Sequence, residues 1–578
     1  MEVRKDFGKN RETIFYEFGP FRLDVREQLL RRDGELVPLT PKLFDILLAL
    51  ILNSGHILTK DEMMKMVWSD TSVEESNLTR NVSSLRKALG ERPTENQYIE
   101  TIPWRGYRFV AELKESRGEA AAIDSLAVLP FLNESTDPTA EYLSDGITDS
   151  LINKLSLLSN LKVMSRNSVF RYKGQDVLTV GRELGIRAVL TGRIKQVDGV
   201  LIVSVELVDA FDSRHLWGAQ YNREFADIFS MQETISREIV ERLRVQLIGD
   251  EKQRLAKSYT HDTEAYEFYL KGRYFRNKLT VEGFRKAIQY FEQAIEKDSR
   301  FALAYVGLAS CQGLLGNPAE ARKFKLKALE LDPTLGEVHT SLGIPMFLGW
   351  DFSGADKEFQ LALKLNPNYA EGHHWYAIFL ANMGRHDEAV HEANRARELD
   401  PVSSLMNQTA GNVFMLARDY GRAIEALQKT LELDANFAAA HSVLGCVYAY
   451  KGMCDEAIAE FEKVRALAGA NPQVDGSIKA LMGYAYAAGG RRNEALQIIE
   501  DIPSPHEAQA YSIAAVYAAL AEIERAFEWL NKAFQAHSFQ LVSLKVDPAF
   551  DNIRSDPRFQ DLLHRIGLSG GKLPIRRH

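Results

Sequence analysis

Polar side chains with hydrogen-bond donors cluster on one side of a short segment near the amino terminus. A helix predicted over about 76–89 turns Leu78, Val82 and Leu85 to one side, because each residue advances the helix by about 100°. The other side and its margins carry Asn77, Thr79, Arg80, Ser83, Ser84, Arg86 and Lys87. These groups can donate hydrogen bonds to base edges and phosphate oxygens, and no acidic residue stands among them. The pattern therefore predicts a helix that enters the major groove of double-stranded DNA.

The positive charge of this segment is local. The whole chain has 578 residues with 71 basic and 79 acidic side chains, and its formal net charge is −8. Between residues 76 and 110, in contrast, six basic side chains stand with three acidic ones. Bulk charge thus argues against a general polyanion binder and favours a confined nucleic-acid site.

Short predicted elements surround this helix. Residues 16–38 alternate short apolar pairs with turn residues, which predicts a small antiparallel sheet. Thr40 followed by Pro41 is typical of a helix start, and Thr59 with Glu62 forms the capping box of a second short helix. Further on, YIETI and YRFV flank PWRG as a hairpin. A small sheet, three helices and a hairpin in this order predict a winged helix-turn-helix.

Residues 16–113 resemble the DNA-binding domain of OmpR/PhoB-type transcriptional regulators. The segments LTPKLFDILLAL, NLTRNVSSLRKALG and YIETIPWRGYRFV carry the resemblance, and the last two are similar to the CadC-type branch. It implies a winged helix domain over residues 1–113 whose third helix reads bases. It also implies that Arg105 and Arg108 in the wing contact the DNA backbone or an adjacent minor groove. The loop from Trp68 to Val73 corresponds to the segment that family members direct toward RNA polymerase.

A period of 34 residues organises the carboxy-terminal half of the chain. Six alanines from Ala287 to Ala457 stand 34 residues apart, and six positions seven residues later are Ala, Thr or Val in step. A bulky residue follows most of the first series by four positions, and a small residue precedes it by twelve. Positions i, i+4 and i+7 share one helix face, so the pattern predicts closely packed helical hairpins.

These hairpins resemble tetratricopeptide repeats, most fully over residues 441–464. The resemblance implies an all-α solenoid over residues 262–567, with about eight repeats, a terminal capping helix and a concave groove. An unknown protein or peptide is the expected partner in that groove. The predicted groove positions are His374, Ile378, Asn382, Gln408, Asn412, Tyr450 and Tyr484. The alternative interpretation is that these are ordinary packing or solvated residues of a scaffold.

The segment between these two parts alternates predicted strands and helices. Residues 114–124 are small and charged without apolar periodicity, which predicts a linker. Residues 125–250 alternate apolar strands with helical stretches, which indicates an α/β domain. The run from SLAVLPF to YNREFADIF resembles the amino-terminal domain of TolB-like proteins and implies a signal-coupling or interaction module.

No residue pattern typical of an enzyme or a metal site occurs in the sequence. Three cysteines are scattered without ligand spacing, and neither a phosphate-binding glycine loop nor a GxSxG nucleophile is present. Asp145 and Asp149 share a helical face but have no third ligand nearby. We therefore predict no enzyme activity, no cofactor and no metal. No membrane-spanning apolar run and no signal peptide is found, which predicts a cytoplasmic protein without a membrane partner.

Together these parts predict a multidomain, one-component bacterial transcriptional regulator with a HilA-like layout. Double-stranded DNA is the predicted ligand of the winged helix, and the repeats are predicted to sense a protein or a ligand. The alternative is a scaffold in which the solenoid assembles partners and DNA binding is secondary. The operator, the sign of regulation and the oligomeric state stay open, a homodimer being one arrangement.

Overall fold

The computed structural model describes residues 12–25, 29–32, 35–67, 75–91, 97–119, 123–135, 140–197, 200–210, 213–469, 471–502 and 509–569. The chain divides into two compact units, Met1–Ala122 and Ile123–His578. Each unit has its own hydrophobic core.

In its described residues, the first unit combines two antiparallel sheets with three helices. Strands β1 (Glu12–Phe18), β2 (Phe21–Asp24), β3 (Leu29–Arg32), β4 (Glu35–Val37) and β8 (Lys114–Glu119) form the larger sheet, in the order β4-β3-β2-β1-β8. Strands β5 (Ile57–Thr59), β6 (Ile99–Ile102) and β7 (Gly106–Phe109) form the smaller sheet, in the order β5-β7-β6. The helices are α1 (Pro41–Leu52), α2 (Lys60–Val67) and α3 (Glu75–Ala88). The predicted winged helix is confirmed.

Local sequence signals begin the first two helices. The Thr40 hydroxyl accepts a hydrogen bond from the backbone N–H of Leu43 at 3.4 Å, and Pro41 occupies the first turn. The Glu62 carboxylate accepts from the backbone N–H of Thr59 at 2.8 Å, while the Thr59 hydroxyl accepts from that of Glu62 at 3.3 Å. These caps set where the helices begin, and their apolar faces then share one core with both sheets.

The predicted linker over residues 114–124 is wrong in its first half. Strand β8 covers Lys114–Glu119 and pairs antiparallel with β1, so that Tyr16 lies opposite Glu115. Main-chain N–H and C=O groups form such a ladder, and an edge strand therefore needs no apolar periodicity in its side chains. Residues 120–122 lie outside the described part of the chain.

A mixed sheet of six strands begins the second unit. Its strands are β9 (Ser125–Val128), β10 (Leu132–Asn133), β11 (Lys162–Val163), β12 (Ala188–Val197), β13 (Val200–Asp209) and β14 (Arg214–Glu224). The order is β11-β9-β12-β13-β14, with β10 beside β12. Strands β11, β9 and β12 are parallel, whereas β12, β13 and β14 are antiparallel. The helices of this region are α4 (Glu141–Leu155), α5 (Arg166–Phe170), α6 (Val177–Leu184), α7 (Ile228–Leu243) and α8 (Glu251–Ala256).

The predicted alternation of strands and helices is present in this region, but no clear pattern in the sequence predicts β14. This strand lies at the edge of the sheet and pairs with β13 alone. Only Trp217 is buried along it, and its other residues are half-buried or exposed. An edge strand of this kind has a weak hydrophobic pattern, which explains why it is not predicted.

Helical hairpins occupy most of the remaining chain. In the part that the structure describes they form eight consecutive pairs: α9 (Thr263–Arg276) with α10 (Val281–Lys297), α11 (Ala302–Leu314) with α12 (Pro318–Leu331), α13 (Gly336–Leu348) with α14 (Phe352–Leu365), α15 (Ala370–Met383) with α16 (His386–Leu399), α17 (Ser404–Leu416) with α18 (Tyr420–Leu433), α19 (Ala438–Tyr450) with α20 (Cys454–Ala468), α21 (Pro472–Ala488) with α22 (Arg492–Glu500), and α23 (Ala510–Ala519) with α24 (Ile523–Gln535). No helix among the described residues is long and apolar enough to cross a membrane.

The small residues of the 34-residue pattern lie where the two helices of a pair meet. A Cβ atom placed on Gly343 would lie 2.9 Å from the ring of Phe359, and one on Gly445 would lie 2.6 Å from that of Phe461. Both distances are too short for a real contact, so glycine permits each ring to pack against the partner backbone. The bulky and small positions of the sequence pattern are therefore a packing pair within each hairpin.

The chain continues beyond the last pair as two 3₁₀ turns and one helix. The turns cover Phe539–Ser543 and Pro548–Ile553, and helix α25 covers Pro557–Ile566. The Asp556 side chain caps the start of α25 by accepting from the backbone N–H of Arg558. Helix α25 shares a hydrophobic cluster with α23 and α24, and it lies where the sequence predicts the capping helix.

Candidate DNA interface and repeat groove

Helix α3 is anchored through one apolar face. Leu78, Val82 and Leu85 are completely buried, and Leu89 just beyond the helix is nearly so. They pack in the same core as the apolar residues of α1 and α2. Since a helix with one buried face must turn the opposite face away from the core, this anchoring determines which side chains are presented outward.

The outward face of α3 consists of exposed polar residues. They are Thr79, Arg80, Ser83, Ser84 and Lys87. Asn77 lies half-buried at the edge, and its carbonyl accepts from the Asn81 amide at 2.8 Å. Neither Arg80 nor Lys87 forms an ion pair with any residue that the structure describes. The structure thus brings five of the predicted DNA-contacting residues together on one surface, with two unpaired cations among them.

Arg86 does not belong to this surface. Its guanidinium donates to the Ile99 carbonyl at 2.6 Å and to the Thr101 hydroxyl at 2.9 Å. Its Nε lies 3.7 Å from a carboxylate oxygen of buried Glu91, which also accepts from the backbone N–H of Tyr98 at 3.0 Å. The side chain is only 19% exposed. Arg86 therefore ties α3 to strand β6, and this correction removes it from the group with Arg80 and Lys87.

The wing is the hairpin formed by β6 and β7. A Cβ on Gly106 would lie 1.9 Å from the Leu58 carbonyl oxygen, so only glycine lets β7 approach β5 this closely. Arg105 is exposed at the turn. Arg108 instead pairs with Glu100 across the hairpin, with nitrogen to oxygen distances of 2.5 and 2.9 Å. Of the two arginines predicted in the wing, only Arg105 is free of such a pair among the described residues.

Trp104 at the tip of the wing is a candidate that the sequence analysis missed. Its side chain is 100% exposed, and its backbone has a φ of 67°. A positive φ is unfavourable for a residue with a side chain, so the turn holds this ring outward at some cost in backbone energy. The tetrapeptide PWRG at a predicted hairpin tip was the available signal, because a turn residue of this size has no core to fill.

The predicted partner groove is partly filled by the chain itself. We call residues 539–553 the tail segment. The Ser543 hydroxyl donates to the Asn382 side chain at 2.6 Å, and the Tyr450 hydroxyl donates to Asp547 at 2.9 Å. At Asn382 and Tyr450 the groove is therefore occupied by the tail segment, which contradicts the prediction that a partner contacts these two residues. The repeat register indicates which positions face the groove, but it carries no information about a segment that returns to them from far along the chain.

A half-buried ion pair holds the middle of the tail segment. Arg418 donates two hydrogen bonds to the Asp551 carboxylate, at 2.6 and 2.7 Å. Burial acts to raise the pKa of Asp551, but hydrogen bonds from Arg418 and Arg554 outweigh it, and the pKa is lowered. The Tyr511 hydroxyl also donates to Asp547, at 2.7 Å. Two acidic residues of the tail segment are thus bound by groups from three different repeats.

The remaining predicted groove residues differ in exposure. His374 is 4% exposed, and its Nδ1 lies 2.6 Å from the Thr409 hydroxyl oxygen. Burial lowers the pKa of His374 to about 4, so the ring is neutral near pH 7. Tyr484 packs edge-on against Tyr450, with ring centroids 5.6 Å apart. Ile378, Gln408 and Asn412 are half-buried. His374 is therefore a packing residue, and the structure corrects its predicted role as a ligand contact.

Comparisons with known families describe the same regions. Residues 34–109 match the family "Transcriptional regulatory protein, C terminal", and residues 121–238 match "HilA/YgeH-like transcriptional regulator, second domain". Over these two regions the chain is therefore similar to transcriptional regulators, and over the second to the HilA/YgeH-like group. Residues 275–335 and 358–391 match tetratricopeptide repeats. The middle region thus matches a domain of HilA, and its resemblance to TolB-like proteins stays a prediction.

Individual relatives cover different shares of the chain. Transcriptional regulator HilA of Salmonella typhimurium is 26% identical over 67% of this chain and 71% of its own length. Transcriptional activator CadC of Escherichia coli is 30% identical over 20% of this chain and 23% of its own length. Putative adenylate cyclase 3 of Rhizobium meliloti is 33% identical over 46% of this chain, and the match spans 42% of that protein.

Proposed function

We propose that this protein regulates transcription by placing α3 in the major groove of an operator. The observation that carries the proposal is the outward face of α3, where Arg80 and Lys87 have no ion-pair partner among the described residues and lie among exposed hydroxyl groups. A guanidinium matches the two acceptors of a guanine edge, while hydroxyl and ammonium groups suit phosphate oxygens. The similarity to HilA and CadC, both named as regulators of transcription, supports this assignment.

The wing contributes a second contact in this proposal. Exposed Arg105 and Trp104 stand together at the hairpin tip. The guanidinium suits a phosphate or a narrow minor groove, and the indole offers a flat surface to a sugar. We place Arg108 outside this contact, because Glu100 already neutralises it.

The test is a comparison of DNA affinities for single variants. An operator is first selected with the full chain, and binding is then titrated on operator and scrambled duplexes at several salt concentrations. Arg80→Ala should weaken operator binding by about 1–3 kcal/mol, roughly fivefold to 150-fold, and relax the preference at one base position. The loss of affinity should be specific to the operator, because Arg80 can form a bidentate contact with a base only where the correct base is present.

A matched control comes from the same unit. Arg22 lies on strand β2 of the amino-terminal sheet, with a side chain 53% exposed. Arg22→Ala should leave the preference for the operator unchanged. If Arg80→Ala and Arg22→Ala bind the operator equally well, α3 is not the recognition helix and this docking is wrong.

We further propose that the repeats and the middle domain receive the regulatory signal. Their expected partner is a protein or a small ligand. We also propose a cytoplasmic location, because a regulator of transcription must reach promoter DNA. RNA polymerase stays a proposed partner, although the loop from Trp68 to Val73 lies outside the described residues. We assign no reaction to the chain, since the matched families are regulators of transcription. The resemblance to TolB-like proteins supports an interaction role for residues 125–250.

Genome-wide capture of bound DNA separates this proposal from a scaffold function. The full chain is compared with residues 1–122, which keep strand β8 and the complete first unit. A regulator that senses through its second unit should show promoters whose occupancy changes between the two forms. Identical profiles would favour the scaffold, in which the solenoid has no influence on DNA binding.

A further inference from the structure

A polar cavity of about 340 Å³ lies in the first repeats, away from the tail segment. Helices α9, α11 and α13 and the beginning of α15 surround it, together with one side chain from α12. Its charged lining residues are Arg273, Arg276, Lys325, Glu337 and Glu371, and its hydroxyl-bearing ones are Tyr269, Ser310, Ser341 and Tyr369. A volume of this size is within the range of small-molecule sites, which is about 300–1,000 Å³.

The cations of this cavity differ in how far they are satisfied. Arg273 is bound by Asp149 of helix α4 and donates to the Tyr269 hydroxyl at 2.9 Å. Arg276 donates to the Ser310 hydroxyl at 3.0 Å, but no carboxylate of the described residues pairs with it. Lys325 has only a long contact, 3.5 Å, with the Ser341 carbonyl. Two positive groups of the cavity are thus without an ion-pair partner in the part of the chain that the structure describes.

The anions of the cavity are incompletely satisfied as well. Glu337 is half-buried and accepts no hydrogen bond from any residue that the structure describes. Burial raises the pKa of Glu337, while Arg273 and Arg276 act to lower it. Glu371 is exposed and accepts only from the Tyr369 hydroxyl, at 3.0 Å. The half-buried Glu337 carboxylate and the exposed Glu371 carboxylate therefore have acceptor positions left for a ligand or water.

We propose that this cavity binds a small zwitterion of the free amino acid or dipeptide class. Arg276 and Lys325 would hold the carboxylate, since a guanidinium accommodates two carboxylate oxygens. Glu337 and Glu371 would hold the ammonium group. A ligand with charges of one sign only would leave either the cations or the anions of the cavity without a partner.

The position of the cavity supports a role in regulation. Arg273 lines the cavity and also binds Asp149 of the α/β region, so the site lies where the repeats contact the middle domain. Ligand binding at this site does not depend on DNA binding. Only the role of the site in regulation rests on the proposed function. The experiment below omits DNA, so that failure of the site and failure of the DNA-binding proposal are distinguishable.

The experiment is a calorimetric titration of the full chain with proteinogenic amino acids and with dialanine, preceded by a thermal-shift screen. We expect saturable binding of at least one of these probes. Its amide, which lacks the carboxylate, and its N-acetyl derivative, which lacks the ammonium group, should each bind at least about tenfold more weakly. Absence of saturable binding by every probe would overturn the proposal.

Two charge-neutralising variants assign the charges. Arg276→Gln should weaken binding of the parent probe about tenfold and remove the advantage of the parent over its amide. Glu337→Gln should remove the advantage over the N-acetyl derivative. Lys327→Gln is the control, because Lys327 lies on the same helix as Lys325 but pairs with Glu330 outside the cavity. Unchanged affinity in both cavity variants would refute the site even where a probe binds.

Discussion

The outward face of α3 and the concave side of the repeats are both predicted as binding surfaces, yet they differ in how exposed their residues are in the structure. On α3, the four residues of the predicted outward face are exposed, as is Thr79 at its margin. In the groove, Asn382 and Tyr450 bind the tail segment, and His374 is buried. The comparison shows that an outward position in a repeating pattern predicts exposure only where no distant part of the chain returns to cover it.

The distance along the chain explains this difference. The buried and outward faces of α3 are set by residues within one helix of 14 residues. The contact between Asn382 and Ser543, in contrast, joins residues 161 positions apart. Four predictions can break or sharpen the comparison, in order of expected effect.

The largest effect should come from the anchor of the tail segment. Phe550 is completely buried against Tyr511 and Phe559, with ring centroids 5.1 and 6.4 Å away. Phe550→Ala should lower the free energy of unfolding by about 3–5 kcal/mol, because it leaves a cavity in the terminal cluster. Urea unfolding followed by circular dichroism measures this loss.

Phe539 provides the control within the same segment. It is 63% exposed, so Phe539→Ala removes an aromatic ring without creating a cavity. Equal destabilisation by the two variants would contradict a tail segment packed into the groove through Phe550.

The second prediction concerns the pH dependence of stability at His374. The pKa of this buried ring is about 4 in the folded protein, against an ordinary value of 6.5. As the pH falls below 6.5, the unfolded chain takes up a proton that the folded chain does not, so stability is lost until about pH 4. His374→Asn should therefore reduce the loss of stability between about pH 7 and about pH 5 by about 2 kcal/mol.

His391 serves as the reference for this measurement. It is exposed on α16, close in sequence to His374. Urea unfolding at both pH values should show the same pH dependence for His391→Asn and for the unsubstituted protein. If His374→Asn also leaves the dependence unchanged, the ring is not buried and the groove is open at this position.

The third prediction separates Arg86 from its neighbour Lys87. Arg86→Ala should destabilise the first unit by about 1–2 kcal/mol, since the Ile99 carbonyl loses its donor and buried Glu91 loses its ion-pair partner. Lys87→Ala should leave stability unchanged and lower the salt dependence of DNA binding by about one unit. Unfolding curves and salt titrations of both variants provide the comparison. A lowered salt slope for Arg86→Ala at full stability would restore Arg86 to the DNA-contacting surface.

The smallest effect concerns a pair that repeats within the solenoid. His373 lies between the Glu392 carboxylate, which its Nδ1 contacts, and the Pro367 carbonyl, 3.0 Å from its Nε2. His339 with Glu358 and His441 with Glu460 repeat this arrangement. In the repeat between those of His373 and His441, Asn407 and Ala426 occupy the equivalent positions. The Asn407 amide there donates to the Pro401 carbonyl at 3.0 Å.

Glu392→Ala should therefore destabilise the solenoid by about 1–2 kcal/mol, because it leaves one ring nitrogen of buried His373 without a partner. Addition of His373→Asn should restore about 1 kcal/mol, since the double variant reproduces the natural neighbour. A double-mutant cycle from urea unfolding measures this coupling. Additive losses would show that the two residues are independent.

Several features of the fold follow from local patterns in the sequence. Thr40 with Pro41 and Thr59 with Glu62 indicate helix starts that the structure confirms. The alanine series indicates hairpins, and the glycines opposite bulky residues explain their close packing. Strand β8 and the tail contacts could not be predicted in this way, because backbone pairing and single polar contacts leave no spacing signal in the sequence.

The sequence by itself determined the winged helix, the repeat period and the polar face of α3. Each of these depends on interactions within one helix, one hairpin or one repeat, where periodicity reports which side is buried. Only the tertiary structure decided that Arg86 serves the hairpin, that the tail segment fills part of the groove, and that Arg273 of the first repeat binds Asp149 of the α/β region. These contacts join side chains that are distant in sequence, so their partners are set by how the folded elements meet.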